Sequence, residues 1–123
     1  MRIMVSGSRY DRPGVTPINR NFILRYLDNI HSKDLITEIC QGGYSGVDVI
    51  CEKWARANGV PVCQIPYPYE KWEWKHGRWA AGRVKGYMPD LILIFPGRSS
   101  VAKMTELALE AGVFYLEVDY GSS

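Results

Sequence analysis

The chain has 123 residues, 46% of them hydrophobic and 23% charged, and its 15 basic and 13 acidic side chains leave a net charge of +2. That length suits one domain with a core of its own. The charge is too small to argue for nucleic acid by itself, and no apolar run is long enough to cross a bilayer.

Met1-Arg2-Ile3-Met4-Val5 enters a strand pattern at once. It shows neither the apolar stretch nor the cleavage site of a signal peptide, so a cytoplasmic protein is expected. The first strand is predicted over about Arg2 to Ser6, ending in the turn Ser6-Gly7-Ser8-Arg9. Tyr10 to Gly14 is turn chemistry. From Pro17 the pattern becomes helical, with Ile18, Phe22, Leu24, Leu27 and Ile30 able to share a face and Pro17 placed in the first turn. A second strand is predicted from Leu35 to Cys40, stopping at Gly42-Gly43-Tyr44-Ser45-Gly46.

Val47, Ile50, Cys51, Trp54 and Ala55 then recur with the spacing of an amphipathic helix, which Asn58-Gly59 ends. Val60 to Ile65 reads as a short third strand, and Pro61 points to an edge or strand-start position. Pro66-Tyr67-Pro68-Tyr69 breaks regular structure, and part of Trp74 to Tyr87 is predicted helical. The fourth strand, Leu91 to Phe95, is apolar on both faces, as a central parallel strand should be. After Pro96-Gly97-Arg98-Ser99-Ser100, a last helix is expected from Ser100 to Glu110 with Val101, Met104, Leu107 and Ala108 inward. Ala111-Gly112 ends it, Val113 to Val118 forms a fifth strand, and 121–123 is a frayed tail on a single domain of residues 1–120.

This order predicts an α/β fold: a Rossmann-like open, mostly parallel five-stranded sheet of order 3-2-1-4-5, with helices on both faces. Three strands would then deliver glycine-containing turns to one carboxyl edge. A strand feeding a tight glycine turn, with backbone N–H groups at a helix start, suits phosphate.

At the first turn Gly7 exposes the amides of Ser8 and Arg9, and Arg9 offers a guanidinium fork; the alternative is a plain structural turn. At the second, Gly42, Gly43 and Gly46 allow close approach, Tyr44 and Ser45 line the opening, and Asp48 sits in the first helical turn. Asp48 either contacts a ribose or base edge or simply complements the helix dipole. At the third, Pro96, Gly97 and Arg98 lead to Ser99 and Ser100, which serve as oxyanion donors or as helix caps.

Trp72, Trp74 and Trp79, interleaved with Lys71, Lys75 and Arg78, form a base-stacking surface, a lid, a subunit contact or a nucleic-acid track. Glu52, Glu106 and Asp48 are candidate acid/base carboxylates, but none has an evident partner, and only Asp48 is placed to reach a ribose. Cys40, Cys51 and Cys63 lack the spacing of a zinc or redox motif. Cys40 and Cys63 read as reduced, buried thiols, and His31 and His76 are far apart. Neither a metal nor a cofactor is expected.

Taken together, these motifs resemble the SLOG superfamily, the Rossmann-like group of the Smf/DprA proteins and the LOG phosphoribohydrolases, and within it the small YspA/YpsA-related proteins of bacteria and their phages. Val5-Ser6-Gly7-Ser8-Arg9 is similar to the branch's "VTGSR", and Gln41 to Asp48 is similar to "HGGARGAD". Glu52-Lys53-Trp54-Ala55 is similar to "AEWA", and Phe95-Pro96-Gly97 begins the family's "FPGGRGT". Ala81 to Gly86 resembles "AGPIRN", which sets Lys85 among the ligand-binding candidates. Arg98-Ser99-Ser100-Val101 departs from the family's Gly-x-Gly-Thr, and Lys103 and Met104 stand where LOG hydrolases carry a catalytic glutamate.

The resemblance implies binding of a nucleotide or an ADP-ribose-like derivative, as a sensor or, if phage-encoded, a sequestering protein. LOG-like cleavage or transfer at an N-glycosidic bond is the alternative, so enzymatic activity stays open, with binding favoured over turnover. DprA-like binding of single-stranded DNA through Lys71 to Lys85 is a further alternative. Related proteins often form dimers or larger assemblies, and the tryptophans lead to the same expectation of a homo-oligomer.

Overall fold

The apolar runs at residues 3–5, 39–40 and 92–94 become central strands because both of their faces are covered, whereas Phe114 and Leu116 stay exposed on an edge strand. A computed structural model of the chain describes residues 1–7, 16–41, 46–64, 87–96 and 99–121, with backbone alone for 99–103. The elements are β1 (Arg2–Ser6), α1 (Arg20–Lys33), β2 (Glu38–Gln41), α2 (Val47–Ala57), β3 (Val62–Gln64), β4 (Leu91–Ile94), α3 (Ser99–Ala111) and β5 (Phe114–Glu117).

The five strands form one sheet of order β3-β2-β1-β4-β5, and every pairing is parallel. This is the Rossmann-like α/β arrangement. Its chain reversal falls between β1 and β4, where Met4 pairs with Ile92 and Ser6 with Ile94. Past the last paired residues, the Phe95 amide donates to the Ser6 carbonyl and the Val118 amide to the Ile94 carbonyl, both at 2.8 Å.

Alternation along the strands sorts the core into two layers. Ile3, Val5, Ile39 and Leu93 face α1 and α2, meeting Ile23 and Leu27 of the former and Val47, Cys51, Trp54 and Ala55 of the latter. Met4, Cys40, Ile92 and Ile94 face the other way, onto Met104, Leu107 and Ala108 of α3 and onto Tyr87. Each fully buried aliphatic side chain contributes about 1.5–3 kcal/mol by leaving water. The continuous burial of Ile92, Leu93 and Ile94 is what a strand covered on both faces requires.

Several boundaries differ from the sequence expectation. α1 starts at Arg20, not in the turn holding Pro17, because Asn19 caps it: its side chain accepts the Phe22 amide at 3.0 Å. The residues most buried on α1 are Ile23 and Leu27, while Ile18, Phe22, Leu24 and Ile30 pack partly buried around them. β2 starts at Glu38 instead of Leu35, since residues 35–37 bond elsewhere. The Leu35 carbonyl accepts the N-terminal ammonium at 2.7 Å, the Ile36 amide donates to His31 Nδ1 at 3.0 Å, and the Thr37 amide donates to the Met1 carbonyl at 2.9 Å. Leu35 is accordingly exposed. β3 and β5 are shorter than expected, though β3 does lie at a sheet edge. Cys40 is buried as expected, whereas Cys63, on that edge strand, is only half-buried.

At the amino edge of the sheet, charged groups are used to hold strands together. The Arg2 amide donates to Asp90 Oδ2 at 2.8 Å and the Asp90 amide returns to the Arg2 carbonyl at 2.9 Å. The Arg2 guanidinium lies 4.0 Å from the centroid of the Tyr87 ring, and the Tyr87 hydroxyl donates to Glu38. Burial first, then the bond to Glu38, pushes the Tyr87 phenol up from its ordinary range.

Candidate functional site at the carboxyl edge

Gly7 is where the turns are brought together. A Cβ at this position would lie 2.7 Å from Val47 Cγ2, 3.0 Å from Val47 Cβ and 3.1 Å from Phe95 Cβ. The end of β1 therefore touches both the first residue of α2 and the residue that follows β4. Only a residue without a side chain permits that approach. Gly7, the first residue of α2 and the residue after β4 thus meet at the carboxyl ends of adjacent strands.

The second turn delivers Gly46 as the N-cap of α2, with φ 73° and ψ −129°, a conformation that favours glycine. Gly46 has no side chain with which to cap the helix, and the helical bonds begin when its carbonyl accepts the Ile50 amide at 3.1 Å. Two residues on, Asp48 is buried, with 7% of its surface exposed. A carboxylate so nearly covered in the first turn of a helix is held by its surroundings and favoured by the positive end of the helix dipole. Its charge is felt one turn further along. Burial first, then Asp48, raises the Cys51 thiol well above its ordinary range, which keeps it protonated and poorly nucleophilic.

The third turn begins with Pro96, half-buried after the fully buried Phe95. Ser99 and Ser100 open α3. Because α1, α2 and α3 each follow a strand of a parallel sheet, all three point their N-termini at this carboxyl edge. Neither α1 nor α3 has an acidic residue in its first turn, so Asp48 of α2 is the acidic group of the three first turns. The edge is suited by its dipoles to receive an anion.

Of the residues expected to form the site, Gly7, Gly46, Asp48 and Pro96 are placed on this edge, together with the backbone of Ser99 and Ser100. Ser8, Arg9, Gly42, Gly43, Tyr44, Ser45, Trp72, Trp74, Trp79, Lys85, Gly97 and Arg98 lie outside the described residues, as do 122–123 of the expected tail. The other candidate carboxylates are turned to different uses. Glu52 pairs with Arg56 at 2.9 Å along the surface of α2, and Glu106 is exposed partway along α3.

Two features of the edge were not among the candidate site residues. Gln41 ends β2 fully buried, opposite Gln64 of β3. Its signal was a polar residue closing an apolar run immediately before Gly42-Gly43. The second is an aromatic stack: Phe95 lies nearly parallel to Tyr120, with centroids 6.4 Å apart, and Tyr120 meets the edge of Phe22 at 5.3 Å. Residues 16–21 and Tyr120 line an open cleft of about 540 Å³ beside it.

A family model described as YAcAr, the YspA, cpYpsA-related SLOG family, matches residues 1–71. The chain belongs to this family. The matched span runs from β1 through β3, so it carries the Gly7 turn, the Gly46 turn and Asp48. The SLOG family match does not reach the third turn, which joins the edge through the Phe95 contact and the sheet order. No curated protein matches the chain. Among the described residues, no three His, Cys, Asp or Glu side chains cluster as metal ligands would, and no helix is long and apolar enough to cross a membrane.

Proposed function

We propose that this SLOG protein binds a nucleotide or nucleotide-derived ligand at the carboxyl edge of β1, β2 and β4, and acts as a sensor or sequestering protein. The observation that carries this reading is the contact of Gly7 with both Val47 and Phe95. That contact supports the reading because Gly7 belongs to the first turn, Val47 follows the second and Phe95 precedes the third. Phosphate is received there by backbone amides of the three turns, with Ser8, Arg9, Gly43, Ser45, Gly97, Ser99 and Ser100 as its partners. Asp48 accepts from a ribose hydroxyl.

Binding is favoured over turnover by the fate of the candidate acids. Where LOG hydrolases carry a catalytic glutamate, this chain has Lys103 and Met104, and Met104 is buried in the core against β4. Glu52 and Glu106 sit on helix surfaces. One observation favours a second reading: Asp48 is a nearly buried carboxylate in the first turn of α2, and a ribose bound there would meet a group suited to assist cleavage of an N-glycosidic bond.

The test is calorimetry and thermal shift with ADP-ribose and with mono-, di- and cyclic nucleotides. At least one phosphate-bearing ligand binds the parent, and Asp48→Asn weakens it by roughly tenfold or more, as expected for losing a charged hydrogen bond. No response to any member of the panel refutes the proposal. Base release from a nucleoside monophosphate, abolished by Asp48→Asn, would establish the second reading instead.

A further inference from the structure

The cleft lined by residues 16–21 and Tyr120 belongs to none of the three glycine turns, yet it adjoins them. Phe95 makes the connection. On one side it meets Gly7, 3.1 Å from where a Cβ would stand, and on the other it stacks on Tyr120 at a centroid distance of 6.4 Å with planes 24° apart. One aromatic ring therefore separates the point where the turns gather from the wall of the cleft. The volume, about 540 Å³, lies within the range of small-molecule pockets.

The chemistry of the lining is mixed in a particular way. Tyr120 supplies a half-buried aromatic ring held by contacts with Phe22 and Phe95, so it is already in position before a ligand arrives. Asn19 and Asn21 each supply an amide, which offers donors and an acceptor side by side. That pairing matches the edge of a nucleobase, and the ring matches its face.

We propose that this cleft holds the base of the nucleotide whose phosphate sits at the glycine turns, stacked beside Tyr120 and read at its edge by Asn21. The inference rests on the binding reading above and adds a base site that no sequence motif marks. It also gives the tryptophan segment no necessary part in recognising the base. Asn19 already accepts the Phe22 amide at 3.0 Å as the helix cap, so Asn21 is the amide to vary.

Two probes separate the base from the rest of the ligand: adenosine monophosphate, and ribose 5-phosphate, which has the same phosphate and sugar without a base. Tyr120→Leu weakens adenosine monophosphate by roughly tenfold, the loss expected for one stacked base, and changes ribose 5-phosphate by less than about twofold. Tyr120→Phe, which keeps the ring, restores the affinity. Asn21→Ala, at an exposed position, weakens adenosine monophosphate alone and carries the test if Tyr120→Leu does not fold. Equal loss of both probes, or unchanged adenosine monophosphate binding in both variants, overturns the base site while leaving the phosphate site standing. If the parent binds neither probe, the phosphate reading has failed and the base site falls with it.

Discussion

Replacing Gly7 with alanine tests the contact on which the site is built. The added methyl would stand 2.7 Å from Val47 Cγ2, 3.0 Å from Val47 Cβ and 3.1 Å from Phe95 Cβ, distances that real Cβ atoms do not tolerate without displacement. Two of the three obstacles are Cβ atoms, fixed to the backbones of α2 and of the residue after β4, so a rotamer change cannot clear them. The φ of Gly7 lies outside the left-handed region, so the cost is steric and not conformational. An alanine that fitted would instead stabilise by about 0.4–1 kcal/mol, by restricting the unfolded chain. Overpacking costs about 1–3 kcal/mol, and two backbone-fixed obstacles put this site in the upper half of that range, about 2–3 kcal/mol, which leaves a net loss of about 1–2.5 kcal/mol. In a urea titration this appears as a lower midpoint at unchanged slope, and in a thermal scan as a drop of roughly 3–10 °C. Val47→Ala removes the nearest atom but leaves both Cβ obstacles, so Gly7→Ala costs about 1 kcal/mol less in that background without becoming neutral. A Gly7→Ala protein as stable as the parent, or more so, would refute the close approach and with it the gathering of the turns.

Three other perturbations test separate contacts of the fold. Trp54→Phe removes the Nε1–H bond to Asp28 Oδ1, which is 2.8 Å long and joins α2 to α1, and should cost about 1 kcal/mol in urea unfolding; a loss below about 0.3 kcal/mol would show the bond to be idle. Asn19→Ala removes the cap of α1 and should cost about 0.5–2 kcal/mol, with Asn19→Asp retaining most of it. Cys51 titrates higher folded than unfolded, so the native state holds its proton while the unfolded state releases it. Stability is therefore complete below about pH 9 and declines as pH rises above it. Cys51→Ala should lessen that alkaline slope by up to about 1.4 kcal/mol per pH unit, and an identical slope in the two proteins would contradict the burial of the thiol.

The strand order was legible because it follows from few rules: apolar runs of strand length, helical spacing between them, right-handed crossovers and one reversal of direction. Leu91 to Ile94 announced a central strand by being apolar at every position. What the sequence hid was mostly polar and distant. Leu35 and Ile36 look like strand residues, yet their backbone groups are taken by Met1 and by His31, neither of which periodicity can pair with them. The Asp28–Trp54 bond and the cluster of Arg2, Glu38, Tyr87 and Asp90 likewise join separate elements. On α1 the apolar residues are so dense that spacing alone did not separate Ile23 from Phe22 and Leu24. At the site, the glycines were visible as turns, but that Gly7 must be glycine depends on Val47 and Phe95, which arrive from elsewhere in the chain. The cleft beside Tyr120 arises only when the segment after β5 brings that ring against Phe22 of α1.

The most direct test is an amide-resolved NMR titration of the parent protein with a nucleotide that binds. The amides of Gly7, Gly46, Asp48 and Ser100 should shift together along one saturation curve, while those of Arg2, Glu38 and Asp90 at the opposite edge stay in place. Shifts confined to the amino edge, or different saturation curves for Gly7, Gly46 and Ser100, would contradict a single site at the carboxyl edge.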